Sequence, residues 1–388
     1  MVNATDSKQR IARLQERLRE QAVDGAIFVY PTDVFYFSGT RQNATLWIPA
    51  DGASILFVRK SLERAREESL IPDTRPFPGS REFPALFDKN IRRIGLTFDV
   101  LPVQYYQYYA GLLQGLDFID ISQINRELRS IKSPVEQEQL RQSGRIFSEI
   151  FSQVPAIFKP GMREVDLAAE FEYLLRKAGN ASTVRMRAFG QDIIGLAVAG
   201  VSAGVPGCFD GPVVGKGILK NMPFGSSTEL IRSGTPILID YPGIFSGYIV
   251  DMTRMFVYGT LDPMFKEAFD AALRIQDWVT ANLLPGIISE ELHLGALRIA
   301  EESGFGANFM GVPGEQAKFI GHGVGLELDE LPVLARGFKY PLQEGHVIAI
   351  EPKFVFPDKG SVGIENTWLV TSGQCEKLTD LSDEIVYL

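Results

Sequence analysis

The stretch Ile237 to Gly259, ILIDYPGIFSGYIVDMTRMFVYG, constrains this chain more than any other, because it sets two carboxylates inside sequence that belongs in a core. Ile237-Leu238-Ile239 and Tyr248-Ile249-Val250 read as strands, and Pro242-Gly243 with Ser246-Gly247 carry turn signals between them. A strand, a tight turn and a returning strand bring Asp240 and Asp251 side by side. Adjacent carboxylates repel when ionised, so three arrangements are open: both bind metal, one is protonated, or Arg254 pairs with one. An aspartate that only caps the turn is the plainer alternative.

The chain has 388 residues, enough for two domains and a large core. Its 48 acidic against 39 basic residues, for a net charge of -9, argue against a nucleic-acid partner, which needs clustered Lys and Arg. Cys208 and Cys375 are the only cysteines, without CxxC spacing, and read as free thiols in a reducing compartment. The opening MVNATDSKQR lacks the apolar core of a signal peptide. The run Ile193 to Phe209 is broken by four glycines and a proline, so no membrane partner is expected and the expected location is cytoplasmic.

In chain order, Ile11, Leu14 and Leu18 recur at helical spacing between Asp6 and Gln21. Ala26 to Tyr30, Ala53 to Val58 and Ile94 to Phe98 are of strand length and alternate with helical segments at Leu62 to Ser69 and Val103 to Leu113. That alternation predicts an α/β domain over residues 1–130. Ser133-Pro134 then reads as the N-cap and first position of a new helix, opening a second domain over residues 131–388. Helices are expected from Pro134 to Phe158 and Glu164 to Lys177, with strand-like runs extending to Val257. The order recurs with helices at Pro263 to Leu284 and Glu290 to Ser303, then strands, which suggests two halves enclosing one site.

Three further candidate ligands follow in the second half. His322 lies in GHGVGLELDELP, Glu351 closes the apolar run HVIAIEP, and Glu365 lies in the otherwise uncharged VGIENTWLV. A charge inside an apolar strand is costly unless paired or ligating a metal, so a hydrogen-bonded core histidine and buried ion pairs are the alternatives. Four carboxylates and one imidazole suit two hard or borderline divalent cations, Mn²⁺, Co²⁺ or Zn²⁺, better than a mononuclear zinc.

Asp240, Asp251 with Thr253-Arg254, GHGVGL, IEP and IEN together resemble the pita-bread metallopeptidases: prolidase, aminopeptidase P, methionine aminopeptidase and creatinase. The match runs from about residue 128 to 388, with RSIKSPVEQEQL similar to the family's interdomain linker. The resemblance implies an α+β chain: a smaller α/β creatinase-type amino-terminal domain, then a pita-bread catalytic domain, as a homodimer. It implies that Asp240 chelates one metal, Asp251 and Glu365 bridge both, and His322 and Glu351 hold the other. In hydrolytic relatives a hydroxide between the metals attacks the scissile carbonyl, and Glu351 would accept the water's proton.

The surroundings of those ligands depart from the peptidases. The histidine of their HExP motif is Asp329 here, in DELP, and an ionised carboxylate cannot donate the hydrogen bond an imidazole would. Asp329 is read either as binding a cationic substrate group or as pairing with Arg336 or Lys339. No histidine stands in VSAGVPGCFDGPVVGKG, where relatives carry one. The arginine two residues before the last metal glutamate is Gly363, and the glycine of EPG is Lys353. His293 and His346 match no motif and are read as surface residues. For substrate binding, Arg185 and Arg187 could clamp a carboxylate, with a solvated strand face as the alternative, while Phe209 and Tyr241 could line a pocket.

The sequence therefore predicts a metal-dependent hydrolase of the Xaa-Pro dipeptidase and aminopeptidase P type, acting on a small peptide or amide, with Glu351 and Asp329 at the catalytic positions. A creatinase-like or lyase-like enzyme on a small non-peptide substrate is the alternative, and a non-catalytic binding protein a more distant one.

Overall fold

The computed structural model describes residues 3–187, 189 and 192–388. The chain divides into two compact units, Met1–Arg129 with Arg187–Phe189, and Ser130–Met186 with Gly190–Leu388.

The first unit is built on a six-stranded mixed sheet in the order Asp73–Pro76, Ile55–Val58, Ala44–Pro49, Gly25–Phe28, Arg93–Leu96, Asp117–Asp120. The helix Ala4–Glu20 starts where the Asn3 side chain accepts the Asp6 N–H, and it buries Leu14 and Leu18, as their spacing predicts. Ile27, Trp47, Phe57, Phe83, Ile94 and Tyr109 form the core of the unit. Three strands escape the sequence pattern for physical reasons. Ala44–Pro49 is buried on both faces and so shows no alternation, while Asp73–Pro76 and Asp117–Asp120 are edge strands that tolerate polar residues.

The second unit opens with the predicted cap. The Ser133 hydroxyl accepts the Glu136 N–H and the Glu136 carboxylate accepts the Ser133 N–H, which fixes the start of the helix Pro134–Phe151. That helix ends seven residues short of the expected Phe158, because Pro155 cannot continue it and sits instead in the first turn of a short helix, Val154–Ile157. Between the helix Glu164–Lys177 and Pro236, the expected run of strands is, among the described residues, a single strand, Leu196–Ala199, in an otherwise irregular glycine-rich segment. The buried Glu164 carboxylate organises that segment, accepting hydrogen bonds from Ala199 N (2.7 Å), Ser227 N (2.8 Å), and the hydroxyls of Ser202 (2.9 Å) and Ser227 (2.6 Å).

Pro236–Ile244 and Ile249–Val257 form the expected hairpin, but the turn is only residues 245–248; Pro242 and Gly243 lie inside the strand, opposite Asp251 and Val250. The strand accepts Pro242 because Leu196–Ala199 flanks it only as far as Asp240, so from there on it is an edge. A five-stranded antiparallel sheet follows in the order Glu330–Ala335, Phe319–Gly323, Val347–Ile350, Asn366–Leu369, Glu376–Lys377. Lys353–Phe356 and Gly360–Gly363 make a separate hairpin, and a bridge between Thr253 and Glu365 ties the two parts of the unit together. The helices Pro263–Ala281 and Ser289–Glu302 cover the core, contributing Phe265, Ala272, Ile275 and Leu292 against Ile348 and Phe354.

His293 and His346 are buried rather than at the surface. His293 takes an inward position of an amphipathic helix. His346 pairs backbone with Ile131, and its Nδ1 accepts the Gln343 N–H at 3.1 Å. Burial, with Lys132 nearby, pushes its pKa down to about 3.

Candidate active site

Strand periodicity assembles the site. In the hairpin Asp240 faces Thr253, so Asp251, two residues from Thr253, points to the same face as Asp240 as its diagonal neighbour. Arg254 takes the opposite face. Its buried guanidinium donates to the Thr253, Glu365, Leu381 and Ser382 carbonyls and to Asn366, and lies 3.1 Å from Asp383, so it pairs with neither aspartate. In the second sheet His322 faces Ala349, and Glu351, two residues further on, joins its face. The Thr253 hydroxyl donates to Glu365 Oε2 at 2.9 Å and orients that side chain. Asp240, Asp251, His322, Glu351 and Glu365 thus line one cleft, together with Asp329 and an apolar wall that includes Ile193, Phe209, Pro212 and Leu328.

The imidazole is preset. His322 Nδ1 lies 3.0 Å from the Leu328 carbonyl and 3.2 Å from that of Gly323. Carbonyls only accept, so Nδ1 carries the hydrogen and the lone pair sits on Nε2, which points toward Glu351 Oε1 at 3.6 Å. Asp329 Oδ1 lies 3.3 Å from Nδ1, so its polar partner is the His322 ring rather than Arg336 or Lys339. Burial disfavours the charged imidazole, but Asp329, Glu351 and Glu365 outweigh it and raise the His322 pKa. Burial and mutual repulsion raise Asp240 and Glu365 above the usual carboxylate range and Asp251 well above it.

Sequence reasoning missed the central cation. Lys353 Nζ lies 2.8 Å from Asp240 Oδ2, 2.7 Å from Glu351 Oε2 and 2.9 Å from Glu365 Oε2. Its side chain is 1% exposed, and the three carboxylates hold its pKa well above the ordinary value despite burial. Against the family pattern Lys353 reads only as a lost glycine; the signal is a lysine in the apolar strand KFVF, the same cue that singles out Glu365.

Four carboxylates and a neutral imidazole nitrogen form a donor set suited to a divalent cation. Asp251, His322 and Glu365 offer ligand atoms that all lie within 4.8 Å of one another. The lysine ammonium holds one oxygen each of Asp240, Glu351 and Glu365. The side chains therefore fit such an ion at Asp251, His322 and Glu365.

The remaining candidates divide. Phe209 lines the cleft. Tyr241, next to Asp240 on the strand, faces the other side and lines a neighbouring pocket, its hydroxyl donating to Glu172 at 3.0 Å. Arg185 and Arg187 do not form a clamp in the cleft. Arg185 donates to the Leu326 and Gly247 carbonyls at 2.5 and 2.6 Å, while Arg187 is paired with Asp33 (2.9 Å) and Asp99 (2.6 Å) in the first unit. Both guanidinium groups are committed to structure. Cys208 and Cys375 are free thiols, and no helix among the described residues is long and apolar enough to cross a membrane.

The chain is 27% identical over 386 residues to a Xaa-Pro dipeptidase of Pyrococcus furiosus, an alignment that covers 98% of this chain and 100% of that protein. Its fold superposes on the prolidase of Pyrococcus horikoshii with a TM-score of 0.82 at 25% identity, covering 97% and 100% of the two chains. A Xaa-Pro dipeptidase from Bacillus anthracis gives a TM-score of 0.84 at 22% identity over 98% and 100%. The fold is the expected creatinase-type amino-terminal domain followed by a pita-bread domain. Residues 10–131 match the creatinase/prolidase N-terminal domain. Residues 138–372 match the metallopeptidase family M24 and contain all five converging side chains, so this chain belongs to that family.

Proposed function

We propose that this chain is a metal-assisted hydrolase of small Xaa-Pro peptides or closely similar amides. The observation that carries the reading is the convergence of Asp240, Asp251, His322, Glu351 and Glu365, from strands and the residues that flank them, in one cleft. A divalent cation held by Asp251, His322 and Glu365 would supply Lewis acidity to a scissile carbonyl and lower the pKa of a water there.

The chain's own groups do the rest. Glu351 has one oxygen tied to Lys353 and the other facing His322, and that second oxygen is the base that takes the proton from the attacking water. The Leu328 carbonyl fixes His322 in the tautomer that leaves Nε2 as an electron-pair donor. Ile193, Phe209, Pro212 and Leu328 give an apolar surface suited to a proline ring. Asp329, with a side chain 42% exposed, stands at the mouth as an acceptor for a cationic amino group.

The test is hydrolysis of a panel of Xaa-Pro dipeptides and longer Xaa-Pro peptides by protein supplied with Mn²⁺, Co²⁺ or Zn²⁺. Cleavage of any member at the Xaa-Pro bond supports the reading. No cleavage by protein that retains metal favours a second reading, a small non-peptide substrate, for which Asp329 in place of the peptidases' histidine is the supporting observation.

A further inference from the structure

The cleft places a fixed cation among residues that the family pattern assigns to metal. An ammonium group has three N–H donors, and Lys353 spends all three on Asp240, Glu351 and Glu365, at 2.8, 2.7 and 2.9 Å. A second divalent ion held, as the resemblance implies, by Asp240, Asp251 and Glu365 would need oxygens of Asp240 and Glu365, two of the lysine's three partners, at about 2.0–2.2 Å. There its double charge would stand beside an ammonium that already neutralises both carboxylates.

The lysine is built in. Lys353 faces Gly363 directly across the hairpin, and because residue 363 has no side chain the lysine stem runs over it toward the carboxylates. The side chain is 1% exposed and its pocket is closed by the charges it neutralises. Charge balance agrees. One divalent ion and one ammonium set three positive charges against four carboxylates, the same residual charge as two divalent ions bridged by one hydroxide.

We infer that Lys353 is an internal cation replacing one of the two divalent ions of the expected arrangement, so that this chain binds a single ion through Asp251, His322 and Glu365. The inference rests on reading the cleft as a metal-assisted hydrolytic centre, and it makes the bridging arrangement expected for Asp251 and Glu365 impossible in this chain.

The experiment counts ions rather than turnover. The full chain is stripped with chelator, equilibrated separately with Mn²⁺, Co²⁺ and Zn²⁺ and freed of excess; bound metal per chain is measured by plasma mass spectrometry, and the Mn²⁺ sample is examined by electron paramagnetic resonance. The native chain is expected to hold about one ion without a spin-coupled manganese pair, and Lys353→Gly, which restores the motif's glycine, about two with a coupled pair. Two ions in the native chain, or none, overturn the inference, and one ion in both proteins overturns the role given to Lys353. If Lys353→Gly does not fold, the native count alone decides. Because no substrate is involved, a chain that binds one ion yet cleaves no Xaa-Pro peptide ends the Xaa-Pro peptidase reading and leaves the ion count standing.

Discussion

Lys353 and Gly363 are cross-strand partners, and a Cβ at residue 363 would stand 2.5 Å from Lys353 Cγ. Two departures from the family pattern, the lysine in place of the EPG glycine and the glycine in place of an arginine, are therefore one structural change. The lysine stem needs the space that the missing side chain leaves.

Gly363→Ala is accordingly expected to destabilise the protein by about 1–3 kcal/mol, as overpacking does. The added carbon would also meet Lys353 Cα and the Pro352 carbonyl oxygen, each at 2.7 Å, so part of the strain is against backbone. Denaturant unfolding of a double-mutant cycle should show a smaller cost in the Lys353→Gly background, where the stem is gone. Equal costs in both backgrounds would mean that the stem does not occupy this space.

His346 gives a pH prediction away from the cleft. Its folded pKa of about 3 lies below the ordinary 6.5, so above pH 6.5 both folded and unfolded forms are neutral and the group contributes no pH dependence. As pH falls from 6.5 toward 3, the unfolded chain takes up a proton that the folded chain refuses, and stability falls by up to about 1.4 kcal/mol per pH unit. His346→Gln should flatten stability against pH across that window, measured by denaturant midpoints at several pH values. An unchanged slope would contradict the burial of a neutral imidazole.

Glu164 holds the irregular segment that carries the apolar wall of the cleft. Glu164→Ala strands two backbone N–H groups and two hydroxyls, at a cost on the order of 3 kcal/mol. Hydrogen exchange should show lost protection at Ala199 and Ser227 before the rest of the unit, and KM should rise more than kcat falls. A uniform loss of protection would make Glu164 a general core residue instead.

Asp329→His restores the imidazole of the peptidase pattern beside His322, 3.3 Å away. If that group limits peptide handling, the kcat/KM for Xaa-Pro dipeptides should rise about 100-fold or more, the contribution expected of one well-placed hydrogen-bond donor to a developing oxyanion. A fall would assign the acid a positive role with the native substrate.

The parts of this molecule that were legible from sequence are those where chemistry conflicts with surroundings. Asp240, Asp251, Glu351 and Glu365 were visible as charges in apolar runs, and Ser133-Pro134 as a cap with a local signature. Lys353 carried the same signal in KFVF but was read only against the family's glycine. Arg187 was misread because its partners, Asp33 and Asp99, lie 154 and 88 residues away, a distance no local pattern spans. His293 shares the inward helical spacing of Ala296 and Ala300, a signal its polar side chain masks, while His346 closes a turn that has no period to read.

The central claim is that the converging side chains form the catalytic centre, and Asp251→Asn tests it most directly. Burial and the neighbouring carboxylates hold the Asp251 pKa well above normal, so an amide of the same shape relieves repulsion and the metal-free variant should melt no lower than the metal-free native chain. Its kcat/KM on the best Xaa-Pro substrate of the panel, measured with metal supplied, should fall by more than about 100-fold together with bound metal. Unchanged turnover by a folded Asp251→Asn protein would contradict the account.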